Sequence, residues 1–116
     1  MLSNDKQLDI ALLQSYLENL STDIIEKMLA LYIDQSQVYL NDIMLSVTSQ
    51  SQEVWRDSCH KMKGAAGSVG LLKVHQQLAL LEKSTESWET KKSAIEQVVT
   101  LNKQAIALFR EWLSEQ

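Results

Sequence analysis

Residues 51–71 read SQEVWRDSCHKMKGAAGSVGL, and the periodicity of this stretch decides the class of fold. Wound as a helix at about 100° per residue with His60 at zero, Trp55, Cys59, Met62, Ala66 and Val69 gather near −140°. That is the stripe a helix presents to the core of a bundle. On the other side, Lys63 falls at roughly −60°, Gly64 at roughly +40° and Gly67 at roughly −20°. Glu53, Arg56 and Asp57 extend the same polar face. His60 is therefore expected to point into solvent, where a neutral imidazole is a free nucleophile.

All three glycines of the chain, Gly64, Gly67 and Gly70, follow His60 within the same stretch. Interior helical glycine costs about 1 kcal/mol relative to alanine, so this concentration needs a reason. A flat strip beyond the histidine would let the surface of another protein approach its ring, and Ala65, Ala66 and Ser68 keep the neighbourhood small. Gly67 and Gly70 also weaken the helix near Ser68 and allow the chain to bend or break there.

Outward from this stretch, apolar positions recur at helical spacing almost throughout, proline is absent and helix formers dominate. The spacing predicts five helices. The first runs from about Asp9 to Asn19 with Asp9 as N-cap. The second starts near Ser21 or Thr22, presents Ile25, Met28, Leu29, Tyr32, Tyr39, Ile43 and Val47, and ends in the polar stretch Ser46 to Gln52. The third runs from near Ser51 to about Ser68. The fourth, about Leu71 to Lys83, places Leu71, Val74, Leu78 and Leu81 on one stripe. The fifth, about Ser87 to Ser114, turns Ile95, Val98, Asn102, Ile106, Phe109 and Leu113 inward. The expected fold is all-α: an antiparallel up-down four-helix bundle with a short extra N-terminal helix. It forms one domain over 1–116, with 1–7 expected to be flexible.

The formal charge of −4 and the lack of an Arg/Lys cluster argue against nucleic acid as a partner and against direct contact with anionic membranes. No apolar run approaches the ~20 residues of a membrane span, and MLSNDKQLD lacks the parts of a signal peptide, so a cytoplasmic location is expected. The single cysteine, Cys59, excludes an internal disulfide.

Phosphoryl transfer to an imidazole needs an exposed neutral nitrogen, a positive charge near the phosphoryl oxygens and a donor placed in line. His60 and Lys63 meet the first two requirements. No carboxylate cluster or phosphate loop is present to hold Mg²⁺ and a nucleotide, so no metal or cofactor is expected on this chain, and any Mg²⁺ should arrive with the partner. Other readings of the same residues are a scaffolding bundle with an inert His60, a metal-binding bundle built on His60, His75 and a carboxylate, and a Cys59–His60 thiol pair. The metal reading lacks Glu-x-x-His spacing on paired helices. The thiol pair would join side chains about 100° apart. His75 has no motif and receives no role.

The run His60-Lys61-Met62-Lys63-Gly64-Ala65-Ala66-Gly67-Ser68-Val69-Gly70 resembles the signature of histidine-containing phosphotransfer (HPt) domains. Trp55 and Cys59 precede it at apolar and small positions. Leu78-Ala79-Leu80-Leu81-Glu82 stands where the family has a Leu-rich segment ending in Glu, and Tyr32 where an aromatic is usual. The resemblance covers about Leu12 to Glu82, and GAAGSVGL is similar to the C-terminal HPt domains of hybrid sensor kinases of the anoxic-redox and trimethylamine-oxide type. It implies a four-helix bundle phosphorylated on Nε2 of His60 and dephosphorylated by receiver-domain aspartates. Lys63 would be the charge partner and Gly64 the contact that admits the receiver, with Gly67, Arg56 and Lys61 as further partner contacts. The chain would be a phosphocarrier without kinase activity, monomeric, and either free-standing or the cytosolic C-terminal domain of an inner-membrane sensor. Cys59, where alanine is common, and Gln52, in a region where Asp is frequent, depart from the family pattern.

Overall fold

A computed structural model describes residues 7–116. The flexible start expected for the chain lies, over residues 1–6, outside the described residues. Five helices follow: α1 at Ile10–Leu17, α2 at Thr22–Ser49, α3 at Gln52–Ser68, α4 at Leu72–Glu82 and α5 at Trp88–Ser114. Their starts are chemical. Asp9, Ser21, Ser51 and Ser87 each accept, through a side-chain oxygen, the backbone N–H three residues on, satisfying one of the donors that a helix start leaves open.

The α2–α3 and α3–α4 connections are tight because both preceding helices end in left-handed caps. At the end of α3, Gly70 takes φ +73°, Leu71 N–H donates to Ala66 O at 2.9 Å, and Gly70 N–H donates to Gly67 O at 3.1 Å. This is a Schellman arrangement, and it needs a residue that tolerates positive φ. Gln50 makes the same turn after α2 without being glycine, at φ 56°, with Ser51 N–H on Ser46 O.

In the bundle α2 packs on α3 and α5, and α4 packs on the same two helices. The wheel of α3 is borne out: Trp55, Cys59, Met62, Ala66 and Val69 are all buried, and His60 is exposed. Leu8 and Gln7 are buried as well, and Leu8 pairs with Leu71 in an isolated antiparallel bridge while Asp9 N–H donates to Gly70 O. The N-terminal segment thus braces the α3–α4 turn. Among the described residues, no helix is long and apolar enough to cross a membrane.

Among the buried polar side chains, Asn102 and Lys91 are satisfied inside the bundle. Asn102, turned inward as its spacing predicts, accepts from the Tyr32 hydroxyl and donates to Ser36 Oγ, joining α2 to α5. Burial pushes the Tyr32 phenol well above its ordinary range, so it stays a donor. Asn102→Ala would leave that hydroxyl buried without its acceptor, at a cost of about 2 kcal/mol. Urea denaturation should show the loss as a lower midpoint with an unchanged slope. Lys91 is also buried. Its ammonium donates to Gln52 Oε1 at 2.8 Å and Glu86 O at 3.0 Å, and stands 4.3 Å from the Trp88 ring centre. Gln52, a departure from the family pattern, is thereby explained as an acceptor for a buried cation.

Candidate functional site

His60 projects from the middle of α3, with its side chain 65% exposed. On the α3 wheel the carboxylates sharing its face are Glu53 and Asp57, but the one that meets the ring arrives from the neighbouring helix. Glu82, the last residue of α4, sets Oε2 3.1 Å from His60 Nδ1 and Oε1 2.7 Å from Lys63 Nζ. One carboxylate therefore bridges the two residues that the sequence pairs.

The bridge fixes the chemistry of the ring. An ionised carboxylate only accepts, so Nδ1 carries the hydrogen and the lone pair of neutral His60 is left on Nε2, the atom away from Glu82. Glu82 is suited to this role because its side chain is only 16% exposed. The bond from Lys63 chiefly, with that from His60, holds its carboxyl below the ordinary carboxylate range, against the opposing effect of burial. The sign follows from linkage. A carboxyl depressed in the folded state contributes stability above its unfolded pKa, and that contribution is lost as pH falls through the folded value.

Lys63 is held rather than free, with a side chain 22% exposed. Its ammonium has three N–H groups and is ion-paired with Glu82 alone, so N–H groups remain for oxygens placed beside Nε2. Gly64 is open: a Cβ built there meets nothing within 4 Å. Gly67 differs. A Cβ there would lie 2.9 Å from Nδ1 of His75, so the space above Gly67 is filled by this chain's own imidazole. Along the strip expected after His60, Gly64 is exposed, Gly67 is partly covered by His75 and Gly70 is committed to the turn. His75 itself is satisfied, its Nδ1 lying 3.0 Å from the carbonyl oxygen of Lys63.

The remaining expected partner contacts, Arg56 and Lys61, are exposed, Arg56 lying 3.7 Å from its neighbour Asp57. Cys59 is buried, and burial chiefly, with the Glu82 charge second, pushes its thiol up to about 12. It is a packing residue and no nucleophile. Among the described residues no three His, Cys, Asp or Glu side chains come together as a metal-holding group, and the two histidines are engaged separately.

Comparison with known proteins gives a consistent result. The family model described as "Hpt domain" matches residues 27–114. The aerobic respiration control sensor protein ArcB of Escherichia coli O157:H7 is 38% identical over 69 residues, covering 60% of this chain and 9% of that protein. ArcB of E. coli strain K12 is 36% identical over the same shares. The chain thus spans about a tenth of the length of these curated relatives. Among solved structures, the histidine-containing phosphotransfer domain of ArcB from E. coli superposes with a TM-score of 0.87 at 26% identity, covering 97% of this chain and 98% of that one.

Proposed function

This chain belongs to the Hpt domain family, the histidine phosphotransfer modules of two-component phosphorelays, and from that premise we propose that His60 takes a phosphoryl group on Nε2 from the aspartyl phosphate of a receiver domain. It then gives the group up to the aspartate of another receiver. The observation that carries this reading is the Glu82 bridge, which leaves Nε2 as the free nitrogen of an exposed imidazole.

The step balances without a base. The Nε2 lone pair attacks phosphorus, the bond from phosphorus to the aspartyl oxygen breaks, and the aspartate leaves as a carboxylate with the electron pair. Nε2 carries no hydrogen, so none has to be removed. The ring becomes positive while Nδ1–H remains bonded to Glu82, which stabilises that charge as a carboxylate does for an imidazolium in a catalytic triad. Lys63 meets the phosphoryl oxygens with its remaining N–H groups. Reversal follows the same path, so the direction of flow is set by the receivers.

Mg²⁺ and the acyl phosphate come with the receiver, and the chain carries the phosphoryl group without making it. Gly64, Arg56 and Lys61 form the face on which the receiver seats. We place the module in the cytosol, as one domain of a hybrid sensor kinase of the kind to which it is similar. Incubation with a ³²P-labelled phospho-receiver is expected to move label to this chain in an acid-labile, alkali-stable form. Absence of transfer from every cognate receiver would overturn the assignment.

A further inference from the structure

His75 received no role from its sequence context, and the transfer step above does not use it. Its placement is nevertheless specific. The imidazole is seated over Gly67, where a Cβ would come within 2.9 Å of Nδ1. Its Nδ1 is 3.0 Å from the carbonyl oxygen of Lys63. A carbonyl only accepts, so Nδ1 of His75 carries the hydrogen and donates it.

His75 and Glu82 lie two helical turns apart on the same side of α4, and both grip α3 at Lys63. Glu82 holds its ammonium and His75 its backbone carbonyl. Two grips at separate heights fix how far α4 slides along α3. A slip of one residue is about 1.5 Å along a helix, enough to carry the Glu82 oxygen out of hydrogen-bond range of His60 Nδ1.

We propose that His75 is a positioning residue for phosphoryl transfer. Seated on Gly67 and bonded to the Lys63 carbonyl, it holds α4 at the register in which Glu82 reaches Nδ1 of His60 and so fixes the reactive tautomer. Gly67 then belongs to this device, being the residue whose missing side chain admits the ring. The proposal rests on His60 being the phosphoacceptor, but its first readout does not depend on phosphorylation.

That readout is the ¹⁵N shift pair of the His60 ring, which reports which nitrogen carries hydrogen. The second is the rate at which phosphoramidate, a small donor that needs no docking, phosphorylates His60 with release of ammonia. In the intact chain His60 should show Nδ1–H. In His75→Leu, and equally in Gly67→Ala, which displaces the ring, the tautomer should become mixed and the rate should fall roughly fivefold, as expected for loss of one positioning bond. His75→Asn, which presents an amide N–H in nearly the same place, should restore both, whereas a role in packing alone would be served as well by leucine. Circular dichroism and thermal melting confirm that each variant is folded. Unchanged His60 shifts and rates in folded His75→Leu and Gly67→Ala would overturn the proposal. A parent chain with Nδ1–H on His60 that takes no label from phosphoramidate or any receiver would sink the phosphoacceptor reading instead.

Discussion

Replacing His60 with glutamine is expected to abolish labelling by any phospho-receiver while leaving the bundle folded. The effect should be total because the phosphoryl group has no other acceptor of comparable chemistry nearby. Cys59 is buried with its thiol pushed up to about 12, and His75 is half-buried, its ring packed over Gly67 rather than projecting into solvent as His60 does. An amide nitrogen is no nucleophile, yet glutamine can still donate toward Glu82. His60 is 65% exposed, so the change in stability should stay within about 0.5 kcal/mol. The check is acid-labile label on the parent and none on the variant, with matching urea denaturation curves. Label persisting on the variant would place the acceptor elsewhere.

Gly64→Glu should be nearly as severe against a receiver and almost harmless to the fold. Nothing lies within 4 Å of the built Cβ, and exchanging an interior helical glycine for a better helix former should stabilise the chain by up to about 0.5 kcal/mol. The added side chain stands one turn from His60 and carries a negative charge where a phosphoryl group must arrive. Receiver-driven transfer should therefore drop by at least about a hundredfold through lost approach and misplacement of the reacting atoms. Phosphoramidate, which needs no docking, should still label His60. Transfer from the receiver at the parental rate would show that close approach over Gly64 is not required.

The outward face of α3 that carries these two residues and Lys63 could be read from the sequence because the signal was local. The wheel of α3 divides core from solvent using one helix alone, and the caps at Asp9, Ser21, Ser51 and Ser87 are written within three residues of the bonds they make. Asn102 was legible for the same reason, since its spacing puts it on the inward stripe of α5. Glu82 was visible as the end of a Leu-rich segment, but its role was not. Contact with His60 is made between helices, and a single-helix wheel cannot contain it. The signal that could have found it is the symmetry of the α3–α4 hairpin: His60 and Glu82 stand equally far from Leu71 in sequence, so a tight antiparallel turn brings them level.

Gly67 shows the opposite difficulty. The sequence reveals that a side chain is missing but not which body stands in its place, and the His75 ring of this chain occupies the position that a Cβ would take. Lys91 escaped for a similar reason. A lysine among polar residues at the start of α5 reads as solvated, whereas Gln52 and Trp55 of α3 join the nearby Trp88 ring and Glu86 carbonyl around its ammonium.

Phosphoryl transfer by this chain turns on which nitrogen of which histidine bonds to phosphorus. Phosphorylating ¹⁵N-labelled protein with a phospho-receiver and recording the histidine ring by NMR reads this directly. The Glu82 bridge predicts phosphorus coupled to Nε2 of His60, with hydrogen retained on Nδ1. Phosphorus on Nδ1 of His60, or on His75, would contradict it.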